Sequence, residues 1–197
     1  MTGIIILDRD GVINYDSDYY IKSENELVPL PGSLDAIASL CHANIKVFVA
    51  TNQSGIARGL FSLETLHAMH RKLQNLLADK QAKIEQFYYC PHLPEDHCAC
   101  RKPMPGLIQQ IAHEHLANGV EDLKEIFFIG DSISDLQAGM QAGAKVALVK
   151  TGKGQRSLKK IADESLHAYA QVRVYKDLAE FTKELLSTNP SSAKQEL

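Results

Sequence analysis

The sequence predicts a doubly wound α/β fold built on a mostly parallel sheet, and two observations carry that expectation. Short continuous apolar runs alternate with longer segments whose apolar residues recur at helical spacing. The first run, Gly3 to Leu7, is apolar throughout and stops at an acid, the pattern of a strand covered on both faces.

The elements follow in order. Behind the turn Pro29-Leu30-Pro31-Gly32, the residues Leu34, Ile37, Ala38 and Cys41 give a helix over Ser33 to Ala43. Ile45 to Ala50 reads as the second strand. Ser62 is placed to N-cap a long helix with Leu63, Leu66, Leu73, Leu76 and Leu77 on its apolar face. Phe87 to Tyr89 is the third strand, and Pro105-Gly106 opens a helix running to about Leu116. Ile126 to Ile129, Asp135 to Ala142 and Lys145 to Val149 alternate as strand, helix and strand. Arg173 to Tyr175 adds a short last strand before a helix from about Leu178 to Leu186.

With 197 residues, 45% of them hydrophobic, the chain reads as one domain over 1–188 with a polar tail over 189–197. Acids outnumber bases 24 to 21, so broad non-specific nucleic-acid binding is not expected. No apolar run reaches the roughly 20 residues that span a membrane. Asp8, Arg9 and Asp10 cut the first apolar run too short for a signal peptide. A soluble, cytoplasmic monomer is the expectation.

In a doubly wound fold, chemistry gathers where the strands end. The first strand ends in Asp8-Arg9-Asp10-Gly11-Val12, where a turn can bring both acids to one pocket, although two solvated turn acids would read the same. The second ends in Thr51-Asn52-Gln53-Ser54-Gly55, hydroxyl and amide groups suited to an oxyanion. The fourth ends in Gly130-Asp131-Ser132-Ile133-Ser134-Asp135. Arg101-Lys102-Pro103 supplies two cations between strands three and four. Acids, a hydroxyl and a lysine on one edge suit Mg²⁺ and a phosphate, with a carboxylate attacking phosphorus.

Asp8-x-Asp10-Gly11-Val12, Thr51, Lys102 and Gly130-Asp131-x-x-x-Asp135 together resemble, in order, the four motifs of the haloacid-dehalogenase (HAD) phosphatases. The resemblance spans roughly residues 3 to 152 and implies a Rossmann-like sheet. It implies Asp8 as nucleophile and Asp10 as the acid that protonates the leaving oxygen and then activates water. Asp8, the Asp10 carbonyl and Asp131 would hold Mg²⁺, Thr51 and Lys102 would stabilise the phosphoryl group, and Asp135 would position Lys102 or a metal-bound water.

Cys90-Pro91-His92 and Cys98-Ala99-Cys100 give C-x-H-x5-C-x-C, a set of three thiolates and one imidazole that fills a tetrahedral zinc site. With no position open, such a zinc is structural and braces the loop that carries Arg101 and Lys102. His97 is the alternative fourth ligand, its adjacency to Cys98 making the poorer geometry. The loop resembles a zinc-bearing HAD subgroup of two branches. Its members remove the 7-phosphate of D-glycero-D-manno-heptose 1,7-bisphosphate, toward nucleotide-activated heptose for surface glycans, or dephosphorylate histidinol phosphate. Thr51 to Gly59, Asp8 to Asn14 and Thr151 to Gly154 resemble the heptose branch, the leading reading, from which the histidinol branch departs after Asn52-Gln53. No large cap is expected, so substrate choice would rest on Asp16, Ser17, Asp18, Tyr19, Asn52, Gln53, Ser54 and Arg101. A non-catalytic, zinc-stapled binding module is the competing reading from another class.

Other signals read as structural. Thr151-Gly152-Lys153-Gly154 lacks P-loop spacing and reads as a loop after a strand. Cys41 reads as a packed helix residue, and His67, His70, His113 and His115 as surface or half-buried helix residues.

Overall fold

The computed structural model describes residues 3–162, 164–169 and 171–188. The tail expected over 189–197 lies outside them. Six strands form one wholly parallel sheet in the order β3-β2-β1-β4-β5-β6. They are β1 (Gly3–Leu7), β2 (Ile45–Asn52), β3 (Gln86–Cys90), β4 (Phe127–Gly130), β5 (Lys145–Val149) and β6 (Arg173–Tyr175). The helices are α1 (Ser33–His42), α2 (Leu63–Ala78), α3 (Gly106–His115), α4 (Ile133–Ala142), α5 (Gly154–Ala162) and α6 (Leu178–Thr188).

The alternation of side chains along β1 builds the layers. Ile5 and Leu7 face one way, into a core with Ile37, Leu66, Leu73 and Phe181 from α1, α2 and α6. Ile4 and Ile6 face the other, against Leu107, Ile108 and Ile111 of α3 and Ala138 of α4. Covering both faces with apolar side chains is what makes the uninterrupted runs of β1 and β5 stable as strands. Chain order reverses at β1, which has β2 on one side and β4 on the other. A crevice opens at the carboxyl ends of strands on either side of such a reversal.

Two elements differ from the expected bounds in ways that matter to the site. Strand β2 runs on to Asn52 because Thr51 and Asn52 pair with Tyr89 and Cys90 of β3, so Thr51 sits within the strand. Helix α4 begins at Ile133, where Ser132 and Asp135 cap its first turn reciprocally. Ser62 caps α2 through the Thr65 N–H as expected, at 3.2 Å. The segment between β1 and α1 forms turns and two isolated bridges, Asp10 with Asn14 and Asn14 with Pro29, in place of a cap domain. No helix among the described residues is long and apolar enough to cross a membrane.

Candidate active site

The crevice is a cavity of about 320 Å³ lined by Asp8, Asp10, Thr51, Lys102, Asp131 and Asp135, with residues of the 16–21 loop and Lys153 at its mouth. Four remote stretches of sequence therefore meet there. Asp8 follows β1 directly, its backbone N–H bonded to the Ile129 carbonyl of β4 at 2.9 Å. That bond ties the Asp8 turn to the strand that delivers Asp131. Close approach requires glycine at position 11, whose φ is +82° and where an added Cβ would lie 2.0 Å from Asp131 Oδ2.

Lys102 is the centre of the charge arrangement. Its buried ammonium lies 2.9 Å from Asp8 Oδ1 and 2.6 Å from Asp135 Oδ1, and donates to the Ala50 carbonyl at 2.8 Å. The α4 capping box makes this possible. Asp135 Oδ2 accepts from the Asp131 and Ser132 N–H groups at 3.2 and 3.0 Å, which leaves Oδ1 aimed at Lys102. Burial opposes the charge on Lys102, yet Asp135 and Asp8 outweigh it and hold the amine more firmly protonated than usual.

The acids divide by environment. Burial lifts the Asp8 carboxyl to about 6, against the pull of Lys102. Burial, then Asp135 and Asp8, raise Asp131 well above the carboxylate range. Burial also works against the charge on Asp10, but Arg9, Asn14 and Gln53 prevail and keep it below that range.

Whether this pocket suits a divalent cation is a matter of charge and donor type. Asp8, Asp131 and Asp135 bring carboxylate oxygens within 4.8 Å of one another, and among the described residues the one ammonium paired with this trio is Lys102. Three buried acids with one lysine leave negative charge that a hard cation with oxygen ligands would balance. The residues present fit Mg²⁺.

The Cys/His loop fits a different ion. Cys90 Sγ lies 3.5 Å from both His92 Nδ1 and Cys98 Sγ, and Cys100 Sγ lies 3.3 Å from His92 Nδ1 and 3.4 Å from Cys98 Sγ. A zinc tetrahedron with ordinary bond lengths has edges of roughly 3.5–3.8 Å. His97, in a left-handed conformation at φ 46°, is outside this cluster, so His92 is the histidine of the set. Burial pushes the Cys90 thiol up, whereas at Cys98 burial is outweighed by the neighbouring thiols, which hold it at about 7.

Several residues expected to meet substrate have other partners. Asn52 exchanges two hydrogen bonds with the Lys102 backbone, Nδ2 to the carbonyl at 3.0 Å and the Lys102 N–H to Oδ1 at 3.1 Å. The Gln53 amide donates to Asp10 Oδ2 at 2.9 Å and to Thr51 Oγ1 at 3.0 Å. Asp16 pairs with Lys153 at 2.9 Å, and Asp18 makes a two-pronged pair with Arg156 on α5 at 3.0 and 3.1 Å. Arg101 donates to the His92 carbonyl at 3.1 Å while lining the cavity, as Ser17 and Ser54 do. Tyr19 is 82% exposed and is not part of the lining, where Tyr20 and Ile21 stand. Sequence reading left Lys153 out, though its place after β5, on the same sheet edge as Asp131, was a usable signal. His70, expected as a surface or half-buried helix residue, is buried, its ring stacked on Phe87 at 4.1 Å.

Comparison with known proteins agrees with this geometry. The HAD-hydrolase-like family profile matches residues 99–181. A D-glycero-beta-D-manno-heptose-1,7-bisphosphate 7-phosphatase from Pseudomonas putida is 50% identical over 183 residues, 93% of this chain and 99% of the relative. The chain belongs to the heptose-1,7-bisphosphate 7-phosphatase family. The enzyme of that name from Pseudomonas aeruginosa is 48% identical over 93% of this chain and 97% of its own length. Among solved structures, the Bordetella bronchiseptica member of this phosphatase family, complexed with magnesium and phosphate, superposes with a TM-score of 0.87. It is 45% identical, over 94% of this chain and 99% of that one. The L-2-haloacid dehalogenase of Xanthobacter autotrophicus, 13% identical with a TM-score of 0.56, shares the fold.

Proposed function

We propose that this chain hydrolyses the 7-phosphate of D-glycero-β-D-manno-heptose 1,7-bisphosphate by way of an aspartyl phosphate. The observation that carries the reading is the buried Asp8–Lys102–Asp135 arrangement at the sheet edge, in a chain half identical to a phosphatase of that name. Asp8 attacks phosphorus. A bond forms from its carboxylate oxygen to phosphorus while the bond from phosphorus to the sugar oxygen breaks. The departing electron pair stays on the sugar oxygen and takes a proton from Asp10. Asp10 is a carboxylate in the free site, and an anionic substrate beside it raises its pKa, so it takes up that proton as substrate binds.

In the second step water attacks the phosphorus of the aspartyl phosphate and gives its proton to Asp10. The bond from Asp8 to phosphorus breaks, and phosphate leaves. Lys102 and the Thr51 hydroxyl would face the phosphoryl oxygens throughout, the burial of both residues strengthening the contacts. Mg²⁺, held by Asp8, Asp131 and the Asp10 carbonyl, would supply positive charge to the transferring phosphoryl group. Cys90, His92, Cys98 and Cys100 would hold a structural zinc.

The sugar end of the substrate would lie toward the pocket mouth, among Asp16, Ser17, Asp18, Asn52, Gln53, Ser54 and Arg101, with the exposed Tyr19 outside the lining. Bonds of Asn52 with the Lys102 backbone and of Gln53 with Asp10 and Thr51, and the pairs of Asp16 with Lys153 and Asp18 with Arg156, make several of these supports for the pocket wall. A cytoplasmic monomer acting on a small soluble sugar phosphate completes the reading. Phosphate release with Mg²⁺, from both anomers of the heptose bisphosphate and from histidinol phosphate, tests it. A preference of about tenfold or more for the β-anomer is expected. Faster release from histidinol phosphate would overturn the substrate assignment, and no release from any of the three would favour a binding module.

A further inference from the structure

Arg9 stands between the two motif acids, and its side chain is fully buried. A guanidinium is unfavourable in the interior unless its charge and its N–H groups are matched. One group does most of the matching. Nε and Nη2 donate to Asp10 Oδ1 at 3.1 and 2.9 Å, and Nη2 also reaches Oδ2 at 2.9 Å. Asp10 is the one carboxylate within ion-pair distance of Arg9 among the described residues. On α2, burial, then the charge on Arg9, keep the buried His70 imidazole neutral, so it adds no like charge to the guanidinium's surroundings. Two amides complete the enclosure of Asp10: Asn14 Nδ2 donates to Oδ1 at 2.8 Å and Gln53 Nε2 to Oδ2 at 2.9 Å.

This is more restraint than a carboxylate needs for charge balance. A two-pronged guanidinium fixes the plane of a carboxyl group as well as its position. We infer that Arg9 is a positioning residue for the phosphatase reaction: its buried fork sets the plane of Asp10 and so the line along which Asp10 passes a proton to the leaving oxygen. Arg9 changes no bond. The inference rests on Asp10 being the acid of the proposed mechanism, and not on which sugar is the substrate.

Leaving-group dependence separates this role from a merely structural one. p-Nitrophenolate departs readily without a proton, whereas phenolate and alkoxide do not. In Arg9→Lys, which keeps the charge and loses the fork, kcat/KM should fall less than about fivefold on p-nitrophenyl phosphate. On phenyl phosphate and an alkyl phosphate the fall should be on the order of a hundredfold. Arg9→Met should give the same pattern with larger losses, and circular dichroism and thermal melting would establish which variants fold. Adding Arg9→Lys to Asp10→Asn should cost less than about a further twofold, because the group being aimed has lost its proton.

A uniform loss across the series, no loss, or additive losses in the double variant would each overturn the inference. Should the series behave as expected while the heptose bisphosphate is not cleaved, the substrate assignment fails and the role of Arg9 stands. Lack of turnover on every ester by the wild-type protein would overturn both.

Discussion

The strand-end site and the Cys/His loop lie next to each other, with only Arg101 between Cys100 and Lys102, yet they are built in opposite ways. The strand-end site gathers buried oxygens and one ammonium from four distant stretches, and its positions are held by the sheet. The loop gathers three sulfurs and a nitrogen from eleven consecutive residues, of which His92 is exposed and Cys98 and Cys100 half-buried. The loop has no apolar core of its own beyond Cys90 and the partly buried Cys98 and Cys100. A site that does chemistry needs an open position and rigid surroundings. A site that only braces needs neither, because the metal supplies the cohesion. On the proposed reading, a zinc-bound loop would do for Lys102 what the sheet does for Asp8 and Asp131.

The largest effect should come from the sheet side. Asp8→Asn should lower turnover by on the order of 10⁴-fold or more while leaving the melting temperature close to that of the wild type or above it. The reason is that Asp8 is buried with its charge disfavoured, so removing that charge does not weaken the metal-free fold. Retained turnover in a single-turnover phosphate-release assay would return the nucleophile assignment to Asp10 or Asp131.

Breaking the loop should be the next largest. Cys98→Ser, or removal of zinc by a chelator, should lower kcat/KM about a hundredfold through misplacement of Lys102, with a clear loss of thermal stability. Metal content and activity measured on the same samples decide this. Wild-type turnover without zinc would show that the sheet alone places Lys102.

Much of this contrast was legible in the sequence, and the boundary of what was legible is physical. The Cys/His loop is local, so spacing alone marks the three cysteines and leaves only His92 or His97 as the fourth member, which the geometry decides for His92. The four strand ends could be assigned to one edge because parallel strands all finish on the same side. Partners that meet across many residues were not readable. Asn52 hydrogen-bonds Lys102 from 50 residues away, and Asp18 pairs with Arg156 from 138 away, contacts that no periodicity encodes. The turn residues of Thr151 to Gly154 read as a loop after a strand, whereas Gly154 already opens helix α5, an element whose bounds no periodicity announces. Arg9 is visible as a cation between two acids, but no local pattern shows that its side chain is fully buried.

Two intermediate effects sharpen the comparison. Asn52→Ala removes both hydrogen bonds to the Lys102 backbone, and kcat/KM should fall roughly tenfold. A larger fall in the zinc-free protein than in the zinc-bound one would show that the strand and the loop hold Lys102 together. Protons should compete with Mg²⁺ at Asp8. The folded pKa of about 6 lies above the ordinary 3.8, so the metal-free folded state binds more protons than the unfolded chain between those values. The contribution of Asp8 to stability therefore declines as pH rises through that window. A cation offsets this only once Asp8 has lost its proton, so the rise in melting temperature on adding Mg²⁺ should be larger at pH 7.5 than at pH 5. Equal shifts at both would mean that Asp8 is not a ligand.

The smallest effect should come from the most exposed pair at the pocket mouth. Asp18 and Arg156 join the mouth loop to α5, but their side chains are 57% and 67% exposed, and water and salt weaken such pairs. Arg156→Ala should raise KM for the bisphosphate by less than about threefold, leave kcat unchanged, and have no effect at high salt, where the wild-type pair is already screened. Lys153 offers the contrast. Its ammonium pairs with Asp16 at the pocket lining, and its backbone N–H donates to Asp131 Oδ2 at 2.6 Å, so Lys153→Ala alters charge at the mouth while the contact to Asp131 persists. A KM effect of Lys153→Ala well above that of Arg156→Ala would mean that the mouth recognises substrate by charge inside the cavity. Equal effects would mean that order in the 16–21 loop matters more than the charge it carries.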